Sequence, residues 1–289
     1  MTCLDLMDVR VADGESYKLQ WYHNPYLQHQ GAAKYYPSST SKPDITDLTN
    51  EANGWNNTDG DNNSRSWNCG AEGETDNPGI NELRRKLCKN AFAVLMCSRG
   101  PAMFYAGDEF CNTQFGNNNA YCQDNEISWL DWDRKDRFKD VYNFARFMIN
   151  FRRWHPVLRH RTKPALCGYP DISMHNGSPW NAGYGRDTRQ IGIMYAGRNE
   201  NDTADDIIYI GINTYWEPRT VQIPPAPEGF VWQGLAATSQ KQAPLFGQLL
   251  PERNNSLTMG ARSVIIAIIE KKKTQESLRQ NDERTVSSL

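Results

Sequence analysis

The segment GPAMFYAGDEF, Gly100–Phe110, decides the fold assignment because it joins an apolar run to a pair of acids. The apolar run extends over Ala102–Ala106 and ends at Gly107, Asp108 and Glu109. A short buried strand that follows a helix and opens into a polar loop is typical of an α/β barrel or a doubly wound sheet. Adjacent strand residues point to opposite faces, so at most one acid could face a ligand. We therefore predict a strand over Ala102–Ala106 and structural roles for Asp108 and Glu109, in pairing with an arginine or holding the loop.

Two amphipathic helices flank this predicted strand. Thr75 or Asn77 can cap the first helix, and Pro78 suits its first turn. Its apolar face contains Ile80, Leu83, Leu87, Ala91, Val94 and Leu95. The second helix covers roughly Arg137–Arg153 and ends at His155–Pro156. It is predicted to bury Phe138, Val141, Ala145, Met148, Ile149 and the stem of Arg152.

From about residue 157 the pattern changes to short apolar or alternating runs separated by Pro, Gly and Asn. The runs are QIGIMYA (190–196), DIIYIGIN (206–213), RTVQI (219–223), FVWQGL (230–235) and SVIIAII (263–269). Such runs predict an antiparallel β-sandwich. The fold class is therefore α/β followed by all-β. Residues 50–156 form the first region and residues 157–270 the sandwich.

The two ends of the chain carry weaker signals. Residues 1–49 show no sustained period, so we interpret them as an unassigned, loop-like segment. Residues 271–289 lack apolar content and are expected to be a disordered tail. Residues 50–79 are a Gly/Asn/Asp-rich coil, and long loops of this kind are usually functional or disordered.

The segment GNNNAYCQDNEISWLDWDR, Gly116–Arg134, follows the predicted strand and combines side-chain amides with aromatic rings. Amides both donate and accept hydrogen bonds, and aromatic faces stack on sugar rings, so this composition suits a neutral polyhydroxylated ligand. The alternative is a loop that folds on its own amide hydrogen bonds, with Trp129 and Trp132 covering it. The residues alone leave both interpretations open.

Composition excludes several classes of function. The 34 acids nearly balance the 32 bases, so nucleic-acid binding is not predicted. No apolar run approaches membrane-span length, and the N-terminus lacks the pattern of a secretory signal. Seven cysteines at scattered spacings, without a CxxC, indicate reduced thiols of a cytoplasmic protein.

No cofactor or metal is predicted either. The P-loop, dinucleotide and GxSxG signatures are missing from the sequence, and its five histidines lack metal-ligand spacing. Asp59 and Asp61 start a calcium-like run, but Ser64 and Gly70 stand where that loop needs Gly and Glu. Cys69 and Cys122 lie in polar loops and are interpreted as free thiols.

Several longer segments together resemble the glycogen debranching enzymes and bacterial isoamylases of the α-amylase superfamily of glycoside hydrolases. They are NEANGWNNTDGDNN, SRSWNCGAEGETDNP, AGDEFCNTQFGNNNAYCQDNEISWLDWD, RRWHPVLR, PDISMHN, NTYWEP and ARSVII, within residues 50–270. The resemblance implies a TIM (β/α)₈ barrel that cleaves α-1,6 branches of glycogen, limit dextrin or another α-glucan with retention, followed by a β-sandwich. It makes the GDE segment the eighth barrel strand and places the following loop near the substrate. The substrate-binding residues it implies are Asn118, Asn119, Tyr121, Gln123 and Asp124.

The chain also departs from the family pattern. A whole barrel needs ~250 residues, but only about a hundred residues of recognisable barrel precede the sandwich. No His-Asp pair occurs, and the strands that carry the family's nucleophile and acid have no counterpart here. We therefore assign no catalytic residue and expect the isolated chain to be inactive. We also expect limited proteolysis to leave a sandwich-sized core.

Three functions remain open at this stage. The chain is the C-terminal portion of a debranching hydrolase, with the missing N-terminal part as a partner. Alternatively, it is a non-catalytic carbohydrate-binding or accessory module. The third alternative is a truncated gene product without function.

Overall fold

The computed structural model describes residues 7–10, 16–19, 67–71, 73–117, 124–185, 187–240, 248–249 and 255–272. Within these residues, no helix combines the length and the apolar content that crossing a membrane requires. Most of the unassigned segment at 1–49 and residues 273–289 of the tail predicted at 271–289 lie outside them. The predicted start of the tail is wrong, because Lys271 belongs to the last strand.

Residues near the N-terminus form a two-stranded hairpin, which corrects the loop assignment for this part of the chain. Strand β1 (Met7–Arg10) pairs antiparallel with β2 (Ser16–Leu19), and Met7 lies opposite Leu19. Each strand has only four residues, which is too short for its alternation to stand out in sequence.

Helix α1 (Pro78–Met96) begins as the sequence predicts. The Asn77 side chain accepts hydrogen bonds from the backbone N–H groups of Gly79 and Ile80, at 3.0 and 3.2 Å. This N-cap satisfies donors that have no partner inside the helix. The second half of the helix is almost completely buried, from Leu87 to Met96.

The second predicted helix is confirmed, and a separate short helix precedes it. Helix α2 (Arg134–Arg137) ends at Phe138, and helix α3 (Lys139–Trp154) follows directly. Helix α3 buries Val141, Phe144, Ala145, Met148 and Phe151. It stops before His155, and Pro156–Leu158 continue as a short 3₁₀ helix. The His-Pro pair therefore ends α3 as predicted.

The predicted strand over Ala102–Ala106 is wrong, because no described strand pairs with this segment. Residues 101–105 lie between α1 and a 3₁₀ helix at Asp108–Phe110. Ala102 and Phe104 pack against the core, whereas Met103 and Tyr105 are 65% and 44% exposed. The alternation of a strand is present, but a strand exists only beside a hydrogen-bonded neighbour.

Eight further strands form two antiparallel sheets, and all five runs predicted as strands are confirmed. The strands are β3 (Ile172–His175), β4 (Gln190–Arg198), β5 (Asp205–Asn213), β6 (Arg219–Gln222), β7 (Phe230–Ala237), β8 (Gln248–Leu249), β9 (Ser256–Met259) and β10 (Ser263–Lys271). The larger sheet has the order β3-β4-β5-β10-β7-β8, and β6 pairs with β9 in the smaller one. The described part of the chain is therefore rich in antiparallel β-structure.

The six-stranded sheet is buried on both faces. Its inner face, which includes Ile193, Ile208 and Ile266, packs against α1 and α3 in one apolar cluster. Its outer face, which includes Met194 and Ile265, packs against Val221 and Leu257 of the smaller sheet. The helices thus share a core with the sheet. The domain boundary at residues 156/157 stays a prediction.

Candidate functional site

Residues 111–133, called here the 111–133 loop, lie between the 3₁₀ helix and α2 and contain all five predicted ligand-binding residues; positions 118–123 lie outside the described residues. The loop begins in a tight turn that only glycine allows at position 107. Gly107 has a φ of +98°, and a Cβ added there would lie 2.6 Å from Asn112 Cβ. The two acids of this turn hold its backbone: Asp108 accepts from Tyr105 N–H at 3.1 Å, and Glu109 accepts from Gly107 N–H at 2.9 Å.

These contacts give Asp108 and Glu109 the loop-holding role that the sequence predicts. The expectation that they lie on opposite faces of a strand is wrong, because both belong to the 3₁₀ helix. A carboxylate that accepts backbone N–H groups of its own turn fixes the direction in which the loop departs.

Asn112 joins the two arms of the 111–133 loop. Its side-chain oxygen accepts from Asp131 N–H at 3.0 Å, and its amide nitrogen donates to the Trp129 carbonyl at 3.4 Å. Asn112 is buried, so these bonds are shielded from competing water. Asn125 makes a second turn, in which its side chain accepts from Ile127 N–H at 3.0 Å. The amide hydrogen bonding expected of a self-supporting loop is therefore present.

Arg134 fixes the end of the 111–133 loop from below. Its Nε donates to the Cys111 carbonyl at 2.7 Å, and its Nη1 donates to Glu74 at 3.1 Å. Burial acts to raise the pKa of Glu74, but the hydrogen bond from Arg134 and the charges of Arg137 and Arg134 outweigh it. The pKa of Glu74 consequently lies below its ordinary value, and the carboxylate stays ionised.

Arg84 of α1 organises the neighbouring segment at residues 68–73 in the same way. It is 1% exposed and donates to the carbonyls of Asn68 at 2.9 Å, Gly73 at 2.7 Å and Ala71. One buried guanidinium therefore replaces the backbone partners that a regular element would give this segment. Together, Arg84 and Arg134 hold both polar segments against the helical layer.

The 111–133 loop and the turn before it present aromatic rings to solvent. The exposed fractions are 44% for Tyr105, 54% for Phe115, 58% for Trp129 and 63% for Trp132. The Trp132 ring lies 5.2 Å from the buried Phe110 ring, measured between centroids, which anchors it. The interpretation in which Trp129 and Trp132 cover the loop stays untested, because residues 118–123 lie outside the described residues.

The predicted substrate-binding residues fall mostly outside the description. Asn118, Asn119, Tyr121 and Gln123 lie outside the described residues, so the prediction for them is untested. Asp124 is exposed, and its carboxylate accepts from the Trp129 indole N–H at 3.0 Å. This bond orients the indole ring.

Sequence reasoning missed several side chains that shape this surface. Tyr105 and Phe115 add exposed rings, Arg134 and Glu74 fix the end of the 111–133 loop, and Arg84 fixes the segment at residues 68–73. The exposed rings could have been suspected from their place beside Gly and Asn. The arginines could not, because their partners are far away in sequence.

Metal and thiol chemistry find no support in the described part of the chain. No group of three or more His, Cys, Asp or Glu side chains there could hold a metal ion. The thiols of Cys88 and Cys111 lie 3.8 Å apart, and the contact with Cys111 together with burial raises the pKa of Cys88. Cys69 is likewise buried, which raises its pKa to about 11, and Cys122 lies outside the described residues. A thiol with a raised pKa is a poor nucleophile.

The chain is similar in sequence to enzymes of α-glucan metabolism. It is 51% identical to the glycogen operon protein GlgX homolog of Mycobacterium bovis over 115 residues, which is 40% of this chain and 16% of that protein. It is 33% identical to chloroplastic isoamylase 1 of Oryza sativa subsp. japonica over 198 residues, which is 68% of this chain and 23% of that protein. The matched part of this chain belongs to the glycogen debranching and isoamylase family.

This chain thus spans a minor share of the length of the family members that it matches. No family model matches it. Among solved structures, a pullulanase from Bacillus acidopullulyticus superposes with a TM-score of 0.49 and 22% identity, covering 67% of this chain and 21% of that one.

Proposed function

We propose that this chain is the C-terminal portion of a debranching glycoside hydrolase that acts on α-1,6 branches of glycogen or limit dextrin. The observation that carries the proposal is the set of exposed rings on the 111–133 loop, held by Asn112 and Arg134. The membership of the family supports glycogen as the glucan, because one relative, 44% identical over 110 residues, bears the name glycogen debranching enzyme.

In this proposal, the 111–133 loop contacts the α-glucan. Trp129 and Trp132 stack on sugar rings, and the side chains of Asn118, Asn119, Tyr121, Gln123 and Asp124 bind hydroxyl groups. Stacking on a rigid ring costs little conformational entropy. The Asp124–Trp129 hydrogen bond and the Phe110–Trp132 contact are the features that make these rings rigid.

The isolated chain is proposed to hold the glucan without cutting it. Retaining glycosidases need two carboxyl groups about 5–5.5 Å apart, one as nucleophile and one as acid. In the turn beside the loop, Asp108 and Glu109 are both engaged with backbone N–H groups. Residues 50–156 would supply only the last part of a TIM barrel, and the remainder would come from another segment of the protein.

We propose a reducing compartment, such as the cytoplasm, for this chain. The five described cysteines, Cys69, Cys88, Cys97, Cys111 and Cys167, are all free thiols. Disulfides are rare where glutathione keeps thiols reduced.

The experiment measures binding and cleavage by the purified chain of 289 residues. We expect retardation in a native gel that contains glycogen, and no release of reducing ends from glycogen. Trp129→Ala should weaken the retardation by about tenfold in apparent affinity, as a stacking contact and its buried area are lost. Trp154→Ala is the matched control, because Trp154 is 66% exposed but lies at the end of α3, in a different part of the chain.

Two results would contradict the proposal. Equal weakening by Trp129→Ala and Trp154→Ala would remove the 111–133 loop as the contact surface. Sustained release of reducing ends would show that the chain carries its own nucleophile and acid. Binding without cleavage leaves a carbohydrate-binding module as the working description of the isolated chain.

A further inference from the structure

The connection between β5 and β6, residues 214–218, carries a second exposed aromatic group that the 111–133 loop does not include. The rings of Tyr215 and Trp216 lie 4.0 Å apart between centroids, with 30° between their planes. Trp216 is 59% exposed, and the Arg219 guanidinium lies 4.3 Å above the Tyr215 ring. The tyrosine is thus backed by two neighbours while the indole remains open to solvent. We name this pair the Tyr215–Trp216 platform.

We propose that the Tyr215–Trp216 platform is a second α-glucan site. This inference rests on the proposed function, since it takes the same class of ligand. An exposed indole that packs against a second ring offers the flat, electron-rich face on which the C–H groups of a sugar ring stack. Thr214 and Glu217, both exposed and adjacent to the pair in sequence, offer donors and acceptors for hydroxyl groups.

The platform is rigid because a buried asparagine holds its backbone. Asn213 is 0% exposed and donates to the carbonyls of Glu217 and Gly260, each at 2.8 Å. Its side-chain oxygen accepts from Tyr215 N–H at 2.9 Å, and the Tyr215 carbonyl accepts from Arg262 N–H at 2.8 Å. A surface turn with this many fixed backbone groups loses little entropy when a ligand binds.

Charge and position favour a neutral polymer over other ligands. Arg219 and Glu217 place one charge of each sign beside the rings, so no net charge selects an ionic ligand. The platform is fixed by residues of β5 and of the turn before β10, whereas the 111–133 loop is fixed by Glu74 and the Gly107 turn. A branched glucan offers many chains, so two separate weak sites on one molecule raise the overall affinity.

The experiment is a titration of the full ¹⁵N-labelled chain with maltoheptaose, observed through the indole N–H signals of its nine tryptophans. Each tryptophan gives one signal, and single Trp→Phe variants assign those of Trp216, Trp129 and Trp154. We expect the Trp216 signal to shift and saturate, and the Trp154 signal to stay in place. In Tyr215→Ala, saturation of the Trp216 signal should need roughly five- to tenfold more maltoheptaose, because the supporting ring is lost.

The same titration separates this inference from the proposed function. A shift of the Trp129 signal without one at Trp216 would overturn the second site and leave the proposed function intact. A shift at Trp216 that Tyr215→Ala does not weaken would also overturn it, since the pair would not act together. If no tryptophan signal responds, both the second site and the proposed function fail.

Discussion

The two faces of the six-stranded sheet are closed by different means. The inner face is covered by α1 and α3 through mainly apolar packing, in which Phe144 and Met148 are 0% exposed. The outer face is covered by the β6–β9 pair and by an aromatic group that includes the buried His175. The inner closure depends on residues far earlier in the chain, whereas the outer closure comes from the strands themselves. The strands of the sandwich therefore cover the outer face by themselves, whereas the inner face depends on α1 and α3 for its cover.

Loss of the helical layer, α1 and α3, should lower the stability of the sheet more than any other change considered below. We predict that limited proteolysis of the full chain retains α1 and α3 together with the sheet. From the sequence we expected a sandwich-sized core to remain alone. Because the helices and the sheet share one apolar cluster, we now expect the resistant core to include the helices. Mass spectrometry of the resistant product checks this. A stable product that begins near residue 157 would show that the outer closure suffices.

Phe144→Ala should destabilise the inner closure by about 4 kcal/mol, because it removes a fully buried ring and leaves a cavity. The free energy of unfolding in urea measures this loss. Phe147→Ala is the matched control, since Phe147 lies on the same helix but is only partly buried, and its cost should be clearly smaller. Equal losses would mean that the helices do not pack on the sheet as described.

Stability should depend on pH through His175, on the outer face. Trp180 N–H donates to its Nδ1 at 2.8 Å, so the neutral ring carries its proton on Nε2, 2.9 Å from Ser173 Oγ. Burial lowers the pKa of His175 to about 4, from an ordinary value of 6.5. The unfolded chain therefore binds more protons between these values. Stability should fall by on the order of 3 kcal/mol as the pH drops from 6.5 to 4, and change little below that through this group.

The check is urea unfolding of the wild type and of His175→Asn at several values of pH. The variant should lose the part of the pH dependence that lies between 4 and 6.5, whatever its stability at pH 7. An unchanged slope would show that His175 is not held neutral. Phe144→Ala should keep the wild-type dependence of stability on pH, because this substitution removes no titratable group.

The parts that the sequence predicts well are those with long local patterns. Helices α1 and α3 and the five predicted strand runs are confirmed, because a periodic pattern reports burial directly. Strands β3 and β9 were missed although β6, which also has four residues, was predicted from the alternation in RTVQI. The strand over Ala102–Ala106 is wrong because it has the pattern but no described partner. Just after the 111–133 loop, Arg134 binds Glu74 across 60 residues, a contact that no local pattern reveals.

A smaller effect is expected where a polar group joins α1 to the sheet. Asn90 is 0% exposed; it donates to the Arg262 carbonyl at 2.9 Å and accepts from the Thr238 hydroxyl. Asn90→Ala should cost about 2 kcal/mol, because it leaves buried polar partners unsatisfied. Lys86→Met is the control, since the half-buried Lys86 donates to the neighbouring Ala261 carbonyl and water can replace it. Comparable losses for both variants would show that the buried hydrogen bonds of Asn90 contribute no more stability than the bond of the half-buried Lys86.

The smallest effect should come from the ion pair between Arg99, just after α1, and Asp171, just before β3. Arg99 binds both carboxylate oxygens of Asp171, at 2.6 and 2.7 Å, and both side chains are partly exposed. A double-mutant cycle of Arg99→Met and Asp171→Asn should give a coupling of about 1 kcal/mol, because the geometry is bidentate but solvent still screens the charges. The same cycle on the more exposed pair Arg159–Glu200 should give a coupling near zero. Equal couplings would show that the bidentate and less exposed geometry of the Arg99–Asp171 pair adds no stability over that of an exposed ion pair.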